Sequence, residues 1–262
     1  GSLVRVLESS TYQFNRPSGL ISDGTHIWIA NGGNNSVTEV NISDGSFVRN
    51  VSGAAYGFNQ PIYPISDGTN LWVTNYAGKS VTEISLSTGA LVRVLSAANY
   101  GFNNPRRPAF DGTNIWVPNA DANSVTEFKV SDGSLVRVIN NAAYGFNAPQ
   151  MIVRENSRIW VTSYAGNTVT GINTSDGSLY QQLSTGWNFN SPWGVAAEGS
   201  HVWVANRSTG SSAGSLTEIC TNCTTPSTPT ALSATSAAAS AVLTWTAPAD
   251  GGAAITGYTV TA

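Results

Sequence analysis

One strand-sized motif recurs five times along the chain. Trp28, Trp72, Trp116, Trp160 and Trp203 are separated by 44, 44, 44 and 43 residues, each within a near-copy of Asp67-Gly68-Thr69-Asn70-Leu71-Trp72-Val73-Thr74-Asn75. A unit this short cannot bury its own apolar face, so successive units must stack on one another. That requirement narrows the architecture before any other residue is considered.

Within the second unit, strands are predicted over residues 61–66, 70–75, 80–86 and 90–95. Trp, Val, Ile and Thr concentrate in the middle two, and Gly, Asn, Asp and Ser fall between them. No segment has helical periodicity. Ser43-Asp44-Gly45, Ser131-Asp132-Gly133 and Ser175-Asp176-Gly177 predict a three-residue hairpin loop with Gly in the left-handed position. Four short antiparallel strands repeated radially give an all-β fold, here a five-bladed β-propeller over residues 1–223.

The Leu71-Trp72-Val73-Thr74-Asn75 strand followed by Lys79-Ser80-Val81-Thr82-Glu83 resembles the YVTN and NHL-type propeller repeats of bacterial surface and secreted proteins, across about residues 1–220. The resemblance implies the fold. It implies no single activity, because such repeats serve binding proteins, scaffolds and a few enzymes.

Ring closure is expected from the two ends. Residues 1–7 read as a fourth strand without the first three, and the fifth unit ends at Cys220 without a fourth strand, so the N-terminal strand is expected to complete the last blade. Glu39, Glu83 and Glu127 stand ten residues before Arg49, Arg93 and Arg137, which the hairpin places directly opposite. In the fourth unit both members change, to Gly171 and Gln181; Glu218 is expected to take Arg5. Read as exposed pairs, each adds less than about 1 kcal/mol and chiefly marks register.

Beyond this region the composition changes. Residues 224–228 read as a linker. Residues 229–262 resemble the opening of a bacterial fibronectin type III domain, through Leu232, Trp245, Gly251-Gly252 and Ile255-Thr256-Gly257-Tyr258-Thr259-Val260. A whole sandwich of that kind needs on the order of 90 to 100 residues, so the chain reads as a fragment of a longer protein. Cys220-Thr221-Asn222-Cys223 lacks the further ligands that tetrahedral zinc needs and lies outside βαβ surroundings, which leaves a structural disulfide or two free thiols.

Only 10% of residues are charged and the net charge is −3, which excludes a polyanion-binding surface built on clustered Lys and Arg. With no run of about 20 apolar residues, nothing reads as a membrane-spanning helix. The composition suits a monomeric extracellular or cell-surface bacterial protein with no metal or cofactor.

Catalytic chemistry is judged by subtraction. Of fifteen carboxylates, Asp23, Asp67, Asp111, Glu155 and Glu198 occupy the first hairpin turn, Asp44, Asp132 and Asp176 the last, and Glu39, Glu83, Glu127 and Glu218 one third-strand column. Turn chemistry accounts for the Asp residues better than a calcium site does. Glu8, Asp121 and Asp250 remain, so glycosidase action would have to pair Glu8 with Asp121. His26 and His201 sit beside the first hairpin turn, where Asn70, Asn114 and Arg158 stand in the other units. Streptogramin-lyase relatives use a His-centred site, and no His falls on the expected face here.

Binding residues are sought where the copies differ. The fourth-to-first and second-to-third connections should share one face. Just after the repeated Pro stand Ser18, Ile62 with Tyr63, Arg106 with Arg107, Gln150 and Trp193; in the second group stand Tyr76 with Lys79, Asp121, Tyr164 and Arg207. Aromatic rings with Arg and amides suit a sugar or an extended peptide, and Trp193 is the leading candidate. Tyr56-Gly57-Phe58-Asn59 and its copies read either as an inter-blade clamp or as five equivalent ligand pockets, with regularity favouring the clamp. The resulting expectation is a binding or scaffold module recognising a glycan or protein ligand on the loop face. The alternative is a propeller enzyme of the streptogramin-lyase or glycoside-hydrolase type.

Overall fold

The structure, a computed structural model, describes all residues except 209–212, 225, 238–239, 253–254, 256 and 261–262. The first sheet comprises β1 (Pro17–Ser22), β2 (His26–Asn31), β3 (Ser36–Asn41) and β4 (Phe47–Val51), and the second β5 (Pro61–Ser66), β6 (Asn70–Asn75), β7 (Ser80–Ser85) and β8 (Leu91–Leu95). The third holds β9 (Ala109–Phe110), β10 (Asn114–Asn119), β11 (Ser124–Lys129) and β12 (Leu135–Ile139), and the fourth β13 (Pro149–Glu155), β14 (Arg158–Ser163), β15 (Thr168–Asn173) and β16 (Leu179–Leu183). The fifth has three strands, β17 (Pro192–Glu198), β18 (His201–Asn206) and β19 (Ser215–Cys220). Within each sheet, sequential strands pair antiparallel, and the first strands of neighbouring sheets lie side by side. β9 is short because the chain at Arg107 leaves the ladder to exchange backbone hydrogen bonds with Gln150 and Ile152 on β13; prolines at the equivalent positions, Pro61 and Pro64, leave β5 at full length.

Each repeat has an acidic residue five positions before its tryptophan, an aspartate in the first three and a glutamate in the last two. Asp67 Oδ1 accepts the backbone N–H of Thr69 and of Asn70, both at 2.8 Å, while Oδ2 accepts Trp72 Nε1 at 2.7 Å. Asp23 and Asp111 repeat the arrangement. The anchored rings of Trp28, Trp72, Trp116 and Trp160 are fully buried, each against the following sheet, as Trp72 is against Ile115 and Val117. Burying side chains of this kind contributes on the order of 2 to 3 kcal/mol each.

The hairpin joining third and fourth strands differs from the expected one. Its glycines are left-handed, with φ +72° at Gly45 and +73° at Gly133. The loop, however, has four residues, closed by Asn41 N–H on Ser46 O, and a bulge between Glu39 and Val40 brings Glu39 back opposite Arg49. Glu39, Glu83 and Glu127 meet Arg49, Arg93 and Arg137 at 2.6 Å. These are not the exposed pairs expected. The three glutamates are buried, and only the arginines reach solvent.

The Tyr-Gly-Phe-Asn segments are clamps. Tyr56, Tyr100 and Tyr144 donate their hydroxyls to the carbonyls of Gly89, Gly133 and Gly177 in the next sheet's hairpin, at 3.1, 2.6 and 2.8 Å. Phe58 is buried between the first two sheets with Trp28 and Leu71. Thr82 Oγ1, itself a partner of Asn75 Nδ2, donates to Tyr56 O at 2.8 Å and ties the clamp to its sheet.

The expected closure does not occur. Residues 1–7 form no strand, and Glu218 meets His201 Nδ1 at 2.7 Å, not Arg5. Arg5 instead donates to Ser43 O at 3.4 Å, as Arg49 does to Ser87 O at 3.3 Å, and lies over Gly45 as Arg49 lies over Gly89. Tyr12 clamps Gly45 O at 2.9 Å in the same way. Residues 3–7 therefore stand where the outermost strand of a sheet preceding β1 would stand. The outer face of the fifth sheet is correspondingly open: Leu216 is 63% exposed, whereas its equivalents Val37, Val81, Val125 and Val169 are at most 1% exposed.

Cys220 and Cys223 are joined in a disulfide. Further on, β20 (Thr230–Ala237) pairs with β21 (Ser240–Thr246), and Trp245 packs edge-on to Tyr258 with ring centres 5.1 Å apart. Gly251 and Gly252 both have positive φ, as a turn there requires. Thr225 of the expected linker and Thr256 of the second-domain motif lie outside the described residues.

Candidate functional site

The two groups of connections do share one end of the array. Tyr76 N–H donates to Gln60 O and Gly78 N–H to Asn59 O; Ala165 and Ser208 make the corresponding bonds to Asn147 and Asn190. Asn35, Asn123 and Asn167 extend across to the next connection, each accepting a backbone N–H from Gln60, Ala148 and Ser191 respectively. A rim held by backbone contacts leaves its variable side chains free of structural duties.

Those side chains gather in two places. Between the second and third sheets, the Arg106 guanidinium lies 4.9 Å from the centre of the Tyr76 ring, and its Nε is buried without a partner. Arg107 exchanges backbone hydrogen bonds with Gln150 and Ile152 on β13, which places the backbone of Gln150 beside that of Arg107. Gln150 is 4% exposed; its Nε2 donates to Ala148 O at 3.0 Å, while Oε1 has no partner. Between the fourth and fifth sheets, Trp193 meets the edge of Tyr164 at 5.6 Å, and the Arg207 guanidinium lies 5.1 Å from the Trp193 ring centre. Trp193 thus has packing partners of its own.

Tyr63 belongs to a third group. It lines a cleft on the first-strand side with Arg107 and Arg154, and no carboxylate lines that cleft. Arg154 was not singled out from sequence, yet it occupies a column that holds Ser22, Ser66, Phe110 and Ala197 in the other units. The odd charge in that column was the available signal.

Other candidates resolve into framework. Asp121 accepts Asn104 Nδ2 at 3.0 Å, whereas Glu8 lies beside the first sheet with Asn15 and Asn34; no described cleft is lined by both carboxylates. Asp23, His26 and Glu39 bring ligand-type atoms within 4.8 Å of one another. His26 Nδ1 is 3.3 Å from Asp23 Oδ2, which also accepts Trp28 Nε1, and 3.3 Å from Glu39 Oε1, whose other oxygen meets Arg49. In the second sheet Asn70 takes the histidine's place, donating to Glu83 Oε1 at 2.7 Å, so the trio stands at a position that every sheet fills as part of the repeat. His201 lies at the corresponding end of the fifth sheet, on β18 beside the first hairpin and away from the rim.

Burial dominates the buried carboxyls of the third-strand column. It pushes Glu127 up to about 7 and Glu83 up to about 6, against the pull of Arg137 and Arg93, and raises Glu39 as well. Burial also acts on Asp23, but hydrogen bonds from Trp28, His26 and Thr25 outweigh it and bring that carboxyl down to about 2.

No protein-family model matches this sequence, and no curated protein matches it. Solved structures do match in shape. Hydrazine synthase of Kuenenia stuttgartiensis aligns over 78% of this chain and 59% of its own, with 16% identity and a TM-score of 0.60. A catalytically inactive His-to-Ala variant of virginiamycin B lyase from Staphylococcus aureus, solved with quinupristin, aligns over 78% and 69%, with 19% identity and a TM-score of 0.59. A 6-phosphogluconolactonase-like protein of Bacteroides uniformis aligns over 82% and 75%, with 14% identity and a TM-score of 0.61. The chain spans 59% of the hydrazine synthase chain, so the whole-protein activities of these neighbours do not transfer with the shape. Likeness at 14 to 19% identity establishes the fold alone: this all-β chain has the architecture of a β-propeller.

Proposed function

We propose that the rim formed by Tyr76, Arg106, Gln150, Tyr164 and Trp193 is a ligand-binding surface for a neutral glycan or an extended peptide. The observation carrying this reading is that Arg106 Nε and Gln150 Oε1 are buried without partners on a rim that also carries two aromatic–arginine pairs, at positions the repeat leaves variable. An unpaired buried donor and acceptor cost about 1 to 3 kcal/mol each, a cost a ligand with matching polar groups relieves. The aromatic faces supply the flat apolar contact such ligands need. Placement outside the bacterial cell accords with the low charge and with the Cys220–Cys223 disulfide.

Glycan-array and peptide screens test the reading. Binding that weakens roughly tenfold in Trp193→Ala and in Gln150→Ala supports it; binding indifferent to both substitutions sinks it. The second reading, an enzyme of lyase or lactonase type, is favoured by the likeness to virginiamycin B lyase and to the lactonase-like protein. Turnover of quinupristin or of a sugar lactone by the chain would establish that reading in place of the first. Both histidines lie away from the rim, which favours binding over a His-dependent lyase reaction.

A further inference from the structure

Two arginines that the repeat does not require line one cleft. Arg107 stands in a column that holds Gly19, Tyr63, Met151 and Gly194 in the other units, and Arg154 in one that holds Ser22, Ser66, Phe110 and Ala197. They come from the third and fourth repeats, each of which has a neighbouring sheet on either side. The cleft has a volume of about 340 Å³, runs across β1, β5, β9 and β13, and is also lined by Tyr63. That size falls at the small end of the range of ligand sites. The backbone of Arg107 is bonded to Gln150 and Ile152 at 3.2 Å each, so it is fastened to the strand that carries Arg154. Arg154 Nε donates to Asn156 O at 3.0 Å, and a side chain at Gly112 would lie 3.4 Å from Nη1, so the guanidinium reaches across to the third repeat with its root held.

Neither charge is balanced by the protein. Arg49, Arg93, Arg137 and Arg158 each meet a glutamate. Among the described residues no carboxylate lines the cleft, and neither Arg107 nor Arg154 has one within ion-pair distance. The carboxylates nearest along the chain are engaged elsewhere, Asp111 by Thr113, Asn114 and Trp116, and Glu155 by Asn156, Trp160 and Thr221. A cleft lined by charge of one sign concentrates counter-ions, and guanidinium groups match the paired oxygens of phosphate and carboxylate. We propose that this cleft binds a small dianion, a phosphate monoester or a dicarboxylate, with Arg107 and Arg154 supplying the two balancing charges and Tyr63 a neutral hydroxyl. The charge count selects the class. A neutral ligand leaves both cations uncompensated, a monoanion leaves one, and a polyanion exceeds two charges and a cleft of this size. The site uses none of the rim residues Tyr76, Arg106, Gln150, Tyr164 and Trp193, so it stands apart from the glycan or peptide reading.

Isothermal titration calorimetry at low ionic strength reads the site, with glycerol phosphate, succinate and acetate as probes. At least one of the two dianions should bind, and acetate should bind roughly tenfold more weakly or not at all. A preference for glycerol phosphate identifies the ligand as a phosphate monoester, and a preference for succinate identifies it as a dicarboxylate; either supports the proposal. Arg107→Gln and Arg154→Gln, with near-ultraviolet circular dichroism unchanged, should each weaken binding roughly tenfold. Lys129→Gln removes an exposed charge at the end of β11, outside the cleft, and should leave binding unaltered, as should Trp193→Ala on the rim. Where glycerol phosphate is the ligand, its affinity should fall below about pH 6, as the dianion takes up a proton. Absence of binding by both dianions, acetate binding as tight as theirs, or binding that survives both arginine substitutions overturns the proposal. A loss in Lys129→Gln equal to that in the arginine variants overturns it too, since net charge alone would then account for the binding.

Discussion

In the first three sheets the aspartate that opens the first hairpin does three tasks with one carboxylate. Asp67 holds two backbone N–H groups and the indole of Trp72, so Asp67→Ala leaves a buried indole donor unpaired and frees the turn. A loss of about 2 to 3 kcal/mol is expected, read as a lower urea midpoint at unchanged slope. The constant five-residue spacing of Asp and Trp was visible in the sequence. Their hydrogen bond was not deduced, because turn chemistry already accounted for the Asp. The third-strand column makes a pH prediction. Glu127 titrates near 7 in the folded protein against an ordinary value of 4.5, so the folded state retains a proton that the unfolded chain has released. Stability should therefore fall as pH rises from about 4.5 to about 7, and Glu127→Gln should flatten that slope in a denaturation series. Asp23 acts oppositely, its contribution being lost only as pH falls from 3.8 toward about 2. Less legible was the fourth unit. There the Arg158 guanidinium stacks 3.6 Å from the centre of the Tyr180 ring, which packs on Trp160, and a side chain at Gly171 would meet both rings at 3.1 Å. Sequence alone showed a missing Glu–Arg pair; the aromatic arrangement that replaced it involves residues from three strands.

Strand positions were legible because Trp, Val, Ile and Thr concentrate in the middle strands, which are buried along nearly their whole length, and each turn carries its own chemistry. The second unit's strands fall within a residue of expectation, as β5 to β8 show. Where prediction failed, backbone detail was responsible: the departure of Arg107 toward β13 that shortens β9, and the bulge after Glu39 that offsets a longer hairpin. The clamps between elements are testable. Tyr100 donates to Gly133 O at 2.6 Å, and Tyr100→Phe keeps the stacked ring on Phe102 while removing that bond. A loss of about 1 kcal/mol in denaturant unfolding is expected, whereas a ligand-pocket role for the segment would leave stability unchanged.

At the scale of the molecule, stability is spread unevenly. Internal sheets are covered on both faces, but the fifth has one neighbour and an unpaired edge at β19. Amide hydrogen exchange should therefore be fastest in β18 and β19 and slowest in β6 and β10. Closure was the part that sequence could not supply. The distance between the first and fifth sheets depends on the curvature accumulated over all the sheets. The tyrosine clamps add a direction to this array, since each grips the hairpin of the sheet that follows it and none grips backward. A cut just before Tyr56 would leave the downstream piece carrying its own fastener. A cut at Pro61, where the sheet itself starts, would strand that fastener on the wrong side. Gene rearrangements that shuffle such repeats should accordingly splice from tyrosine to tyrosine, so that the unit of inheritance is offset from the unit of folding.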